Sequence, residues 1–406
     1  MNTMRVLLAG VGGYGAGYLD AMLDHGDEMG LELVGAVDPA PRVCARLAEL
    51  EERVGTVHDT LDAFYEHGEA DLAVISAPIH HHARLTVAAL GHGSHVLCEK
   101  PVAGAIQDAL AMAAAAREHD RTVAIGYQWS FSETIRAIRR DVAAGRFGVP
   151  LQMKTLAFWP RPASYYGRTS WAGALRAPDG SWVLDSPVNN ATAHYLHNAL
   201  FVLGSDGGRP LSVEAELYRA NEIESFDTAA LRVETASGAE VLFYTAHPVP
   251  SRVGPVIHYS FSEADIYCTD PGNFYARFAD GTIEDYGFPN FHQHGKLDRM
   301  ARRLRAGEPP ACSVDDASYQ LLATCGAHES AEIAGFPTDI VRRRELPAGT
   351  AGASPDVLTW VDGLEDAFTQ AFGQAVLPAE LGSVPWARSG VSVDLQGYDR
   401  FPSRGG

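Results

Sequence analysis

A glycine-rich turn near the start of the chain restricts its fold more than any other feature. Residues 10–15 have the pattern Gly-x-Gly-x-x-Gly, directly after an apolar run and directly before a segment with helical spacing. In such a pattern the first glycine permits a tight turn, the second lets a pyrophosphate approach the backbone, and the third lets helix and strand pack closely. The turn therefore predicts a dinucleotide-binding site. Its predicted contacts are Gly10, Gly12, Gly13, Tyr14 and Gly15.

The first third of the chain alternates short apolar runs with helical spacing. The apolar runs have the length of strands at residues 6–9, 31–37, 72–77, 95–98 and 122–125. Helical spacing occupies residues 14–27, 83–91 and 106–119. Successive β–α units of this kind build a parallel sheet with helices on its faces. Residues 1–126 are therefore predicted to form an α/β unit, a doubly wound Rossmann domain.

The pattern changes after residue 126. Helical spacing returns at residues 133–144, 296–306, 313–333 and 355–372. Strand-like segments lie between them, with turn signals at Ser237-Gly238 and Asp280-Gly281. These features predict an α+β domain with a largely antiparallel sheet at residues 127–345. Residues 346–406 are predicted to form a C-terminal helix and an extended tail, packed on that second domain.

The size and charge of the chain exclude several classes of protein. A length of 406 residues exceeds what one hydrophobic core usually supports, so two domains are expected. The formal net charge of −19 opposes binding to nucleic acid or to an anionic membrane. No charged leader precedes the first apolar run, and no stretch reaches 18 apolar residues. We therefore expect a cytoplasmic protein with neither nucleic acid nor membrane as a partner.

Cysteine and histidine spacing does not indicate a metal site. The five cysteines are widely spaced and form no Cys-x-x-Cys motif, which is typical of reduced core thiols. The histidine pairs at residues 80/82, 194/197 and 292/294 lack the further ligands that a metal needs. No bound metal is therefore predicted.

The ends of the predicted strands carry the next signals. Asp38 stands where the second strand ends, and an acidic residue there accepts hydrogen bonds from the adenine-ribose hydroxyls. Asp38 therefore favours NAD, while nearby Arg42 leaves NADP open. Open α/β sheets bind ligands beyond the carboxyl ends of their strands, and Pro78 and Lys100 lie just past two such ends. The nicotinamide is expected there.

Two segments carry a more specific signal. Residues 77–82 read Ala-Pro-Ile-His-His-His, and residues 89–101 read Ala-Leu-Gly-His-Gly-Ser-His-Val-Leu-Cys-Glu-Lys-Pro. With these segments the chain resembles the Gfo/Idh/MocA family, named for glucose–fructose oxidoreductase and inositol dehydrogenase, over residues 5–204 and more weakly to residue 335. The resemblance implies a Rossmann domain, a second domain with a largely antiparallel sheet, and a homo-oligomer, either a dimer or a tetramer. It also implies an NAD(P)-dependent oxidoreductase that acts on a secondary alcohol of a sugar, glycoside or cyclitol.

The same resemblance assigns roles to residues at the strand ends. The family's Glu-Lys-Pro lysine maps onto Lys100, whose ammonium group would hydrogen-bond the reacting oxygen and stabilise the charge that develops on it. Glu99 supports this segment and is counted, with Lys100, among the cofactor contacts. Ala77, Pro78 and His82 are assigned to the cofactor loop after the preceding strand.

A second family motif, Asp-x-x-x-His before a helix, maps onto Asn190 and His194. The resemblance makes His194 the general base that removes the alcohol proton, since imidazole titrates near neutral pH. Asn190 departs from the family pattern: it offers hydrogen bonds that orient the alcohol oxygen, but no charge. His197, three residues beyond His194, is the next candidate for a substrate contact.

The substrate side is less defined. Four of the six tryptophans lie within residues 129–182, and aromatic faces pack well on sugar rings as well as in a core. Trp129 and Tyr165 are the predicted substrate contacts, together with Lys100 and the 190–197 segment. The sequence Gly-Tyr-Gln-Trp-Ser at residues 126–130 replaces the family's Asn-x-Arg type sequence, which disfavours a substrate anchored through that arginine.

The uncharged Asn190 keeps two other functions open. One is an NAD-dependent glycoside hydrolase or lyase, in which transient oxidation acidifies a neighbouring C–H and the cofactor is regenerated in each turnover. The other is a regulator without catalytic activity that senses a dinucleotide or a sugar. Retention of both Lys100 and His194 argues against the regulator.

Overall fold

The computed structural model describes residues 3–268, 272–289, 292–347 and 356–403. These residues divide into two compact units. The first lies within Met1–Ser132 and Asn290–Ser318, and the second within Glu133–Pro289 and Tyr319–Gly406. Each unit has a main sheet of its own.

The first unit is built on a parallel sheet. Its strands are β1 Met4–Ala9, β2 Leu31–Val37, β3 Val57–His58, β4 Leu72–Ile75, β5 His95–Cys98 and β6 Val123–Ile125. Helices follow the strands: α1 Ala16–Met29, α2 Leu47–Val54, α3 Leu61–Tyr65, α4 His82–Gly91 and α5 Ile106–Glu118. The strand order is β3-β2-β1-β4-β5-β6, and every described pairing in this sheet is parallel.

This strand order is that of the doubly wound Rossmann fold. All four residues of β4 are buried, as expected for a strand covered by helices on both faces. The order reverses direction at β1 and β4, which is where such sheets bind their ligands. The predicted α/β fold with a doubly wound parallel sheet is therefore confirmed.

The second unit is built on a mixed sheet. Its elements up to residue 287 are α6 Glu133–Ala143, β7 Pro150–Phe158, α7 Ala163–Gly167, α8 Ala193–Val202, β8 Pro210–Arg219, β9 Thr228–Thr235, β10 Glu240–Ala246, β11 Val253–Phe261, β12 Ala264–Cys268, β13 Phe274–Phe278 and β14 Ile283–Gly287. The remaining elements of the chain are α9 Gln293–Ala306, which belongs to the first unit, then α10 Val314–Ser330, β15 Ala334–Gly335, β16 Val341–Leu346, β17 Asp356–Val361, α11 Leu364–Gln374 and β18 Val393–Asp394.

The order of the second sheet is β14-β13-β12-β11-β7-β10-β9-β8-β15, and β18 also pairs with β8. Its described pairs are antiparallel except for β7 with β10 and β8 with β15. Gly238 and Gly281 have φ angles of 83° and 86° and turn the chain at the two predicted hairpins. The predicted largely antiparallel sheet is confirmed. No described helix has both the length and the apolar character needed to cross a membrane.

The prediction of one amphipathic stretch at residues 355–372 is wrong for its first part. Pro355 lies outside the described residues, and Asp356–Val361 is strand β17, paired antiparallel with β16. The residues of β17 after Asp356 are mostly β-branched or aromatic, and such residues favour a strand once a partner strand is present. The helix begins only at Leu364, after Gly363 has turned the chain with a φ of 77°.

A buried ion pair secures the return of the chain to the first unit. Lys296 on α9 is fully buried, and its ammonium group contacts the carboxylate of Glu99 at the end of β5. The same nitrogen lies 3.2 Å from the Tyr14 hydroxyl and 3.3 Å from the carbonyl oxygen of Gly126. The Tyr18 hydroxyl donates to Glu99 at 2.5 Å. Burial lowers the pKa of Lys296, and the adjacent carboxylate opposes that shift.

Replacing Lys296 with Met is expected to destabilise the first unit by about 3–5 kcal/mol, because Glu99 is then buried without its cation. Urea unfolding followed by circular dichroism measures the change. The double variant Lys296→Met/Glu99→Gln should recover part of the loss. Arg302→Ala, at an exposed position on the same helix, is the control and should change stability by no more than about 0.5 kcal/mol. Equal effects of Lys296→Met and of the control would contradict the prediction.

A buried carboxyl group joins the C-terminal segment to the second sheet. Glu216 on β8 is fully buried, and it accepts hydrogen bonds from the Ala379 N–H at 2.9 Å and the Tyr218 hydroxyl at 2.6 Å. The Tyr218 hydroxyl in turn accepts from the Arg388 N–H at 2.9 Å. Burial raises the pKa of Glu216 to about 7.

Because this pKa lies above the ordinary value of 4.5, the folded protein holds the proton over a range where the unfolded chain releases it. The stability contributed by the protonated group is full below about pH 4.5 and is lost as the pH rises to about 7, a change of about 3 kcal/mol. Glu216→Gln should therefore raise the free energy of unfolding at pH 8 and leave it nearly unchanged at pH 4.5. Glu332→Gln, at an exposed position, is the control. An equal gain at both pH values would exclude the titration of Glu216 as its source.

Candidate functional site

The glycine turn of the first unit lies between β1 and α1. Gly10 has a φ of 90°, and a Cβ atom there would lie 2.5 Å from the carbonyl oxygen of Ser76. A Cβ atom on Gly15 would lie 2.1 Å from the carbonyl oxygen of Gly10. Both obstacles are backbone atoms, so neither position accepts a larger residue without a shift of the main chain. A Cβ atom on Gly13 would meet nothing within 4 Å, so the turn is open on that side.

Asp38 directly follows β2 and is fixed beside this turn. One carboxylate oxygen accepts from the Val11 N–H at 3.0 Å, and the other accepts from the Ala40 N–H at 2.8 Å. The side chain is only half-buried, so its remaining lone pairs face solvent. A tight glycine turn and an oriented carboxylate at neighbouring strand ends fit the pyrophosphate and the ribose of a dinucleotide. Arg42 lies exposed four residues further on.

His82 connects the loops that follow β4 and β5. The ring is buried, with Nδ1 2.8 Å from the carbonyl oxygen of Pro101 and Nε2 2.9 Å from that of Ala77. Burial lowers the pKa of His82 although both carbonyl groups raise it. Pro78 lies between Ala77 and the short 3₁₀ helix that leads to His82. These contacts support a role for His82 in holding the two loops together.

Glu99 and Lys100 directly follow β5, at the same edge of the parallel sheet as the glycine turn. Glu99 is turned toward α1 and α9, where it contacts Tyr18 and Lys296, and its second carboxylate oxygen accepts from the Lys100 N–H at 3.2 Å. A Cβ atom on Gly126 would lie within 3 Å of this carboxylate. The contacts of Glu99 therefore fix the backbone on which Lys100 is placed. The predicted contacts of Glu99 and Lys100 with the cofactor stay predictions.

The second unit carries Asn190, His194 and His197 on one continuous segment. Pro187–Ala191 forms a π-helical turn, capped by the Ser186 hydroxyl, which accepts from the Asn189 N–H at 3.1 Å. The turn leads into α8, where His194 is half-buried and His197 is 1 % exposed.

A carboxylate that sequence reasoning missed lies beside Asn190. Asp185 is 3 % exposed, and one of its oxygens accepts from the Asn190 side-chain amide at 2.8 Å. The other accepts from the Gly173 N–H at 2.6 Å. The carboxyl group that is absent at position 190 is therefore present at position 185, one hydrogen bond away. No periodicity in the sequence distinguishes Asp185 from an ordinary acidic residue before a helix start.

The predicted aromatic contacts fall in different places. Trp129 is half-buried in a short 3₁₀ helix of the first unit, next to Tyr127, which is fully buried and belongs to the core. Tyr165 lies on α7 of the second unit, where the guanidinium groups of Arg161 and Arg168 are 4.4 and 3.7 Å from the centre of its ring. Neither arginine was predicted, since single arginines between prolines and glycines resemble loop residues.

The fold and the glycine turn define a dinucleotide-binding protein of the Rossmann class. Residues 4–127 match the GFO_IDH_MocA family model, which is described as an oxidoreductase family with an NAD-binding Rossmann fold. This part of the chain matches the Gfo/Idh/MocA family, which confirms the predicted family resemblance and the predicted NAD-binding domain.

Individual relatives are more distant. The chain is 27 % identical to 1,5-anhydro-D-fructose reductase of Ensifer adhaerens over 163 residues, which are 40 % of this chain and 46 % of the relative. It is 24 % identical to myo-inositol 2-dehydrogenase of Thermotoga maritima over 305 residues, which are 71 % of this chain and 86 % of the relative. The chain thus spans about half of the first relative and most of the second.

A solved structure has the same fold. The WlbA dehydrogenase from Bordetella pertussis, in complex with NADH and UDP-GlcNAcA, superimposes with a TM-score of 0.66 at 23 % identity. The superposition covers 81 % of this chain and 96 % of the other.

Gly15→Ala is expected to weaken NAD binding about tenfold or more, because the added methyl group displaces the backbone of Gly10. Gly17→Ala is the matched control: its methyl group would meet only the end of the flexible Gln293 side chain. Titration of each variant with NAD by calorimetry measures the difference. Similar affinities for the two variants would show that the turn does not contact the cofactor.

Proposed function

We propose that the protein is an NAD(P)-dependent oxidoreductase that acts on a secondary alcohol of a sugar, glycoside or cyclitol. The observation that carries the proposal is the position of Lys100, directly after β5 at the sheet edge where the glycine turn opens. The family match and the two relatives, a sugar reductase and a cyclitol dehydrogenase, support the same reaction class. Homo-oligomerisation and a cytoplasmic location stay predictions.

The cofactor is held by the glycine turn and by the strand ends. Gly10, Gly12 and Gly15 admit the pyrophosphate, and Asp38 binds the ribose hydroxyls. The loops joined by His82 border the nicotinamide end. The nicotinamide, when bound, accepts or supplies the hydride.

Lys100 and His194 act on the substrate oxygen. The ammonium group of Lys100 donates a hydrogen bond to the reacting oxygen and stabilises the negative charge that develops there as the alcohol loses its proton. His194 takes up that proton in the direction of oxidation and returns it in the direction of reduction. His197, buried three residues further along the same helix, stays the next candidate for a substrate contact.

Asn190 orients the same alcohol group. Its amide nitrogen donates to Asp185, so the amide has one fixed orientation and its oxygen points away from that carboxylate. The Asp185 carboxylate also lies 3.9 Å from the guanidinium group of Arg168. In this way the pair Asp185–Asn190 replaces the aspartate that the family pattern has at position 190.

The proposal is tested by the formation of NADH. With NAD and a panel of sugars, cyclitols and glycosides, absorbance at the NADH band should rise for the wild-type protein. Lys100→Met should lower kcat/KM by about 10²–10³ and His194→Ala by about 10²–10⁴. His67→Ala, an exposed histidine of the first unit, is the control and should retain full activity.

Two results would contradict the proposal. A product formed without net NADH would indicate the hydrolase or lyase that uses transient oxidation. NAD binding without any product, unchanged by Lys100→Met, would indicate a regulator without catalytic activity.

A further inference from the structure

The central parallel pair of the second sheet brings two distant segments to one edge. β7 and β10 run side by side, with Phe158 paired to Ala246, so the residues that follow both strands lie next to each other. The backbone N–H of Trp159 donates to the Ala246 carbonyl oxygen at 3.0 Å. His247 directly follows Ala246 in the chain. An antiparallel pair would have placed these two strand ends at opposite edges.

Arginine side chains crowd onto this edge and rest on aromatic rings. The guanidinium carbon of Arg161 lies 4.4 Å from the ring centre of Tyr165 and 5.3 Å from that of Trp159. Arg168 lies 3.7 Å from Tyr165, and Arg252, which precedes β11, lies 4.8 Å from Trp159. The aromatic faces hold the guanidinium groups in place without hydrogen-bonding their N–H donors.

The charge of Arg161 is not neutralised within the described residues. It forms no ion pair there, and its buried Nε donates no hydrogen bond. Arg168 differs: it donates to the Tyr165 carbonyl oxygen at 2.5 Å and lies 3.9 Å from Asp185. A guanidinium group with a buried donor and no acceptor costs stability unless a ligand supplies the acceptor.

Two further buried nitrogen atoms at this edge also have no hydrogen-bond partner among the described residues. They are Nε1 of Trp159 and Nε2 of His247. His247 is 2 % exposed, its Nδ1 lies 2.9 Å from the Tyr166 hydroxyl, and its ring centre is 5.7 Å from that of Tyr165. Burial, and then Arg161 and Arg168, lower the pKa of His247 well below its ordinary value, so its ring is neutral. In the tautomer whose Nδ1 accepts from the Tyr166 hydroxyl, the neutral ring presents an N–H at Nε2, and this is the tautomer that an anion at Nε2 would select.

We propose that this edge binds an anionic group of the substrate, a carboxylate or a phosphate. The site, called here the arginine edge, consists of Trp159, Arg161, Tyr165, Arg168 and His247. Oxygen atoms of such a group would accept from the donors of Arg161, Trp159 and His247 that lack partners, and guanidinium groups bind carboxylates and phosphates through two parallel hydrogen bonds. The inference rests on the proposed function: it makes the substrate an acidic sugar or polyol instead of a neutral one.

This assignment agrees with the departure at residues 126–130. There the sequence lacks the arginine of the Asn-x-Arg pattern, which removes one way to anchor an anion. The arginine edge supplies the same chemistry from a different part of the chain. The expectation that the substrate is not anchored through the arginine of that pattern is unchanged, and the inference assigns the anchoring to Arg161 instead.

The first test compares sugars that differ in the group at C6, which is a neutral hydroxymethyl group in one member of each pair and an anion in the other. The pairs D-glucose and D-glucuronate, and D-galactose and D-galacturonate, are assayed with NAD beside D-glucose 6-phosphate. The wild-type protein should prefer the acid or the phosphate within a pair. Arg161→Ala should lower kcat/KM for the anionic substrate about 30-fold or more, mainly through KM, and change that of the neutral sugar less than about threefold. Arg161→Lys keeps the charge but not the planar guanidinium group. Its kcat/KM for the anionic substrate should therefore lie between those of the wild-type protein and Arg161→Ala.

The second test measures anion binding without turnover. D-Glucuronate or D-glucose 6-phosphate, added without NAD, should raise the unfolding temperature of the wild-type protein and not that of Arg161→Ala. Arg343→Ala, an exposed arginine of the same unit, is the control and should behave as wild type. Because Arg161 forms no hydrogen bond or ion pair among the described residues, Arg161→Ala should lower the unfolding temperature of the ligand-free protein only by the small loss of its contacts with Tyr165 and Trp159.

The outcomes separate the two proposals. Stabilisation by the anion without any NADH would support the arginine edge and contradict the oxidoreductase. NADH formed from neutral sugars at equal or higher kcat/KM than from the anionic ones would support the oxidoreductase and overturn the arginine edge. A preference for glucose 6-phosphate over glucuronate would identify phosphate as the anion. Equal losses for charged and neutral substrates in Arg161→Ala would also overturn the inference.

Discussion

The buried ion pair between Lys296 and Glu99 is the interaction on which the first unit depends most. An ammonium group without exposure to water costs several kcal/mol, so this lysine is tolerated only because Glu99, Tyr14 and the Gly126 carbonyl surround it. The pair joins α9, which comes after β14 in the chain, to the end of β5. Glu99 also accepts from the backbone of Lys100. A contact across 197 residues thus fixes the lysine proposed to polarise the substrate oxygen.

A comparable constraint organises the second unit. One parallel pairing, β7 with β10, within a largely antiparallel sheet brings Trp159 and His247 to one edge although 87 residues lie between them in the chain. The π-helical turn before α8 places Asn190 against Asp185. The parallel pairing departs from the antiparallel pattern of its sheet, and the π-helical turn departs from the regular α-helix. The proposed substrate groups of this unit lie at these two places. Such irregularities cost stability, and they are most often found where a side chain must be aimed.

The limits of sequence reasoning follow from the range of the interactions. The bounds of β2 and β5 were predicted without error, and Gly238 and Gly281 were predicted as turns, because hydrophobic period and turn chemistry are local. Strand β17 was missed because its hydrophobic pattern also fits a helix. Only its pairing with β16 makes this segment a strand. Lys296 is one of three lysines and lies on an amphipathic helix, where an exposed position is the ordinary expectation. Its burial depends on a partner that no local pattern identifies.

The net charge of −19 and the arginine edge act over different distances. The net charge repels an anionic substrate, but salt screens that repulsion beyond about 8–10 Å at moderate ionic strength. At contact distance, a guanidinium group held by the Tyr165 ring and partly withdrawn from water is screened much less. Approach of an anion is then slowed by the whole chain, while its residence is determined by Arg161 and its neighbours. Discrimination between charged and neutral substrates would therefore depend on the rate of release more than on the rate of encounter.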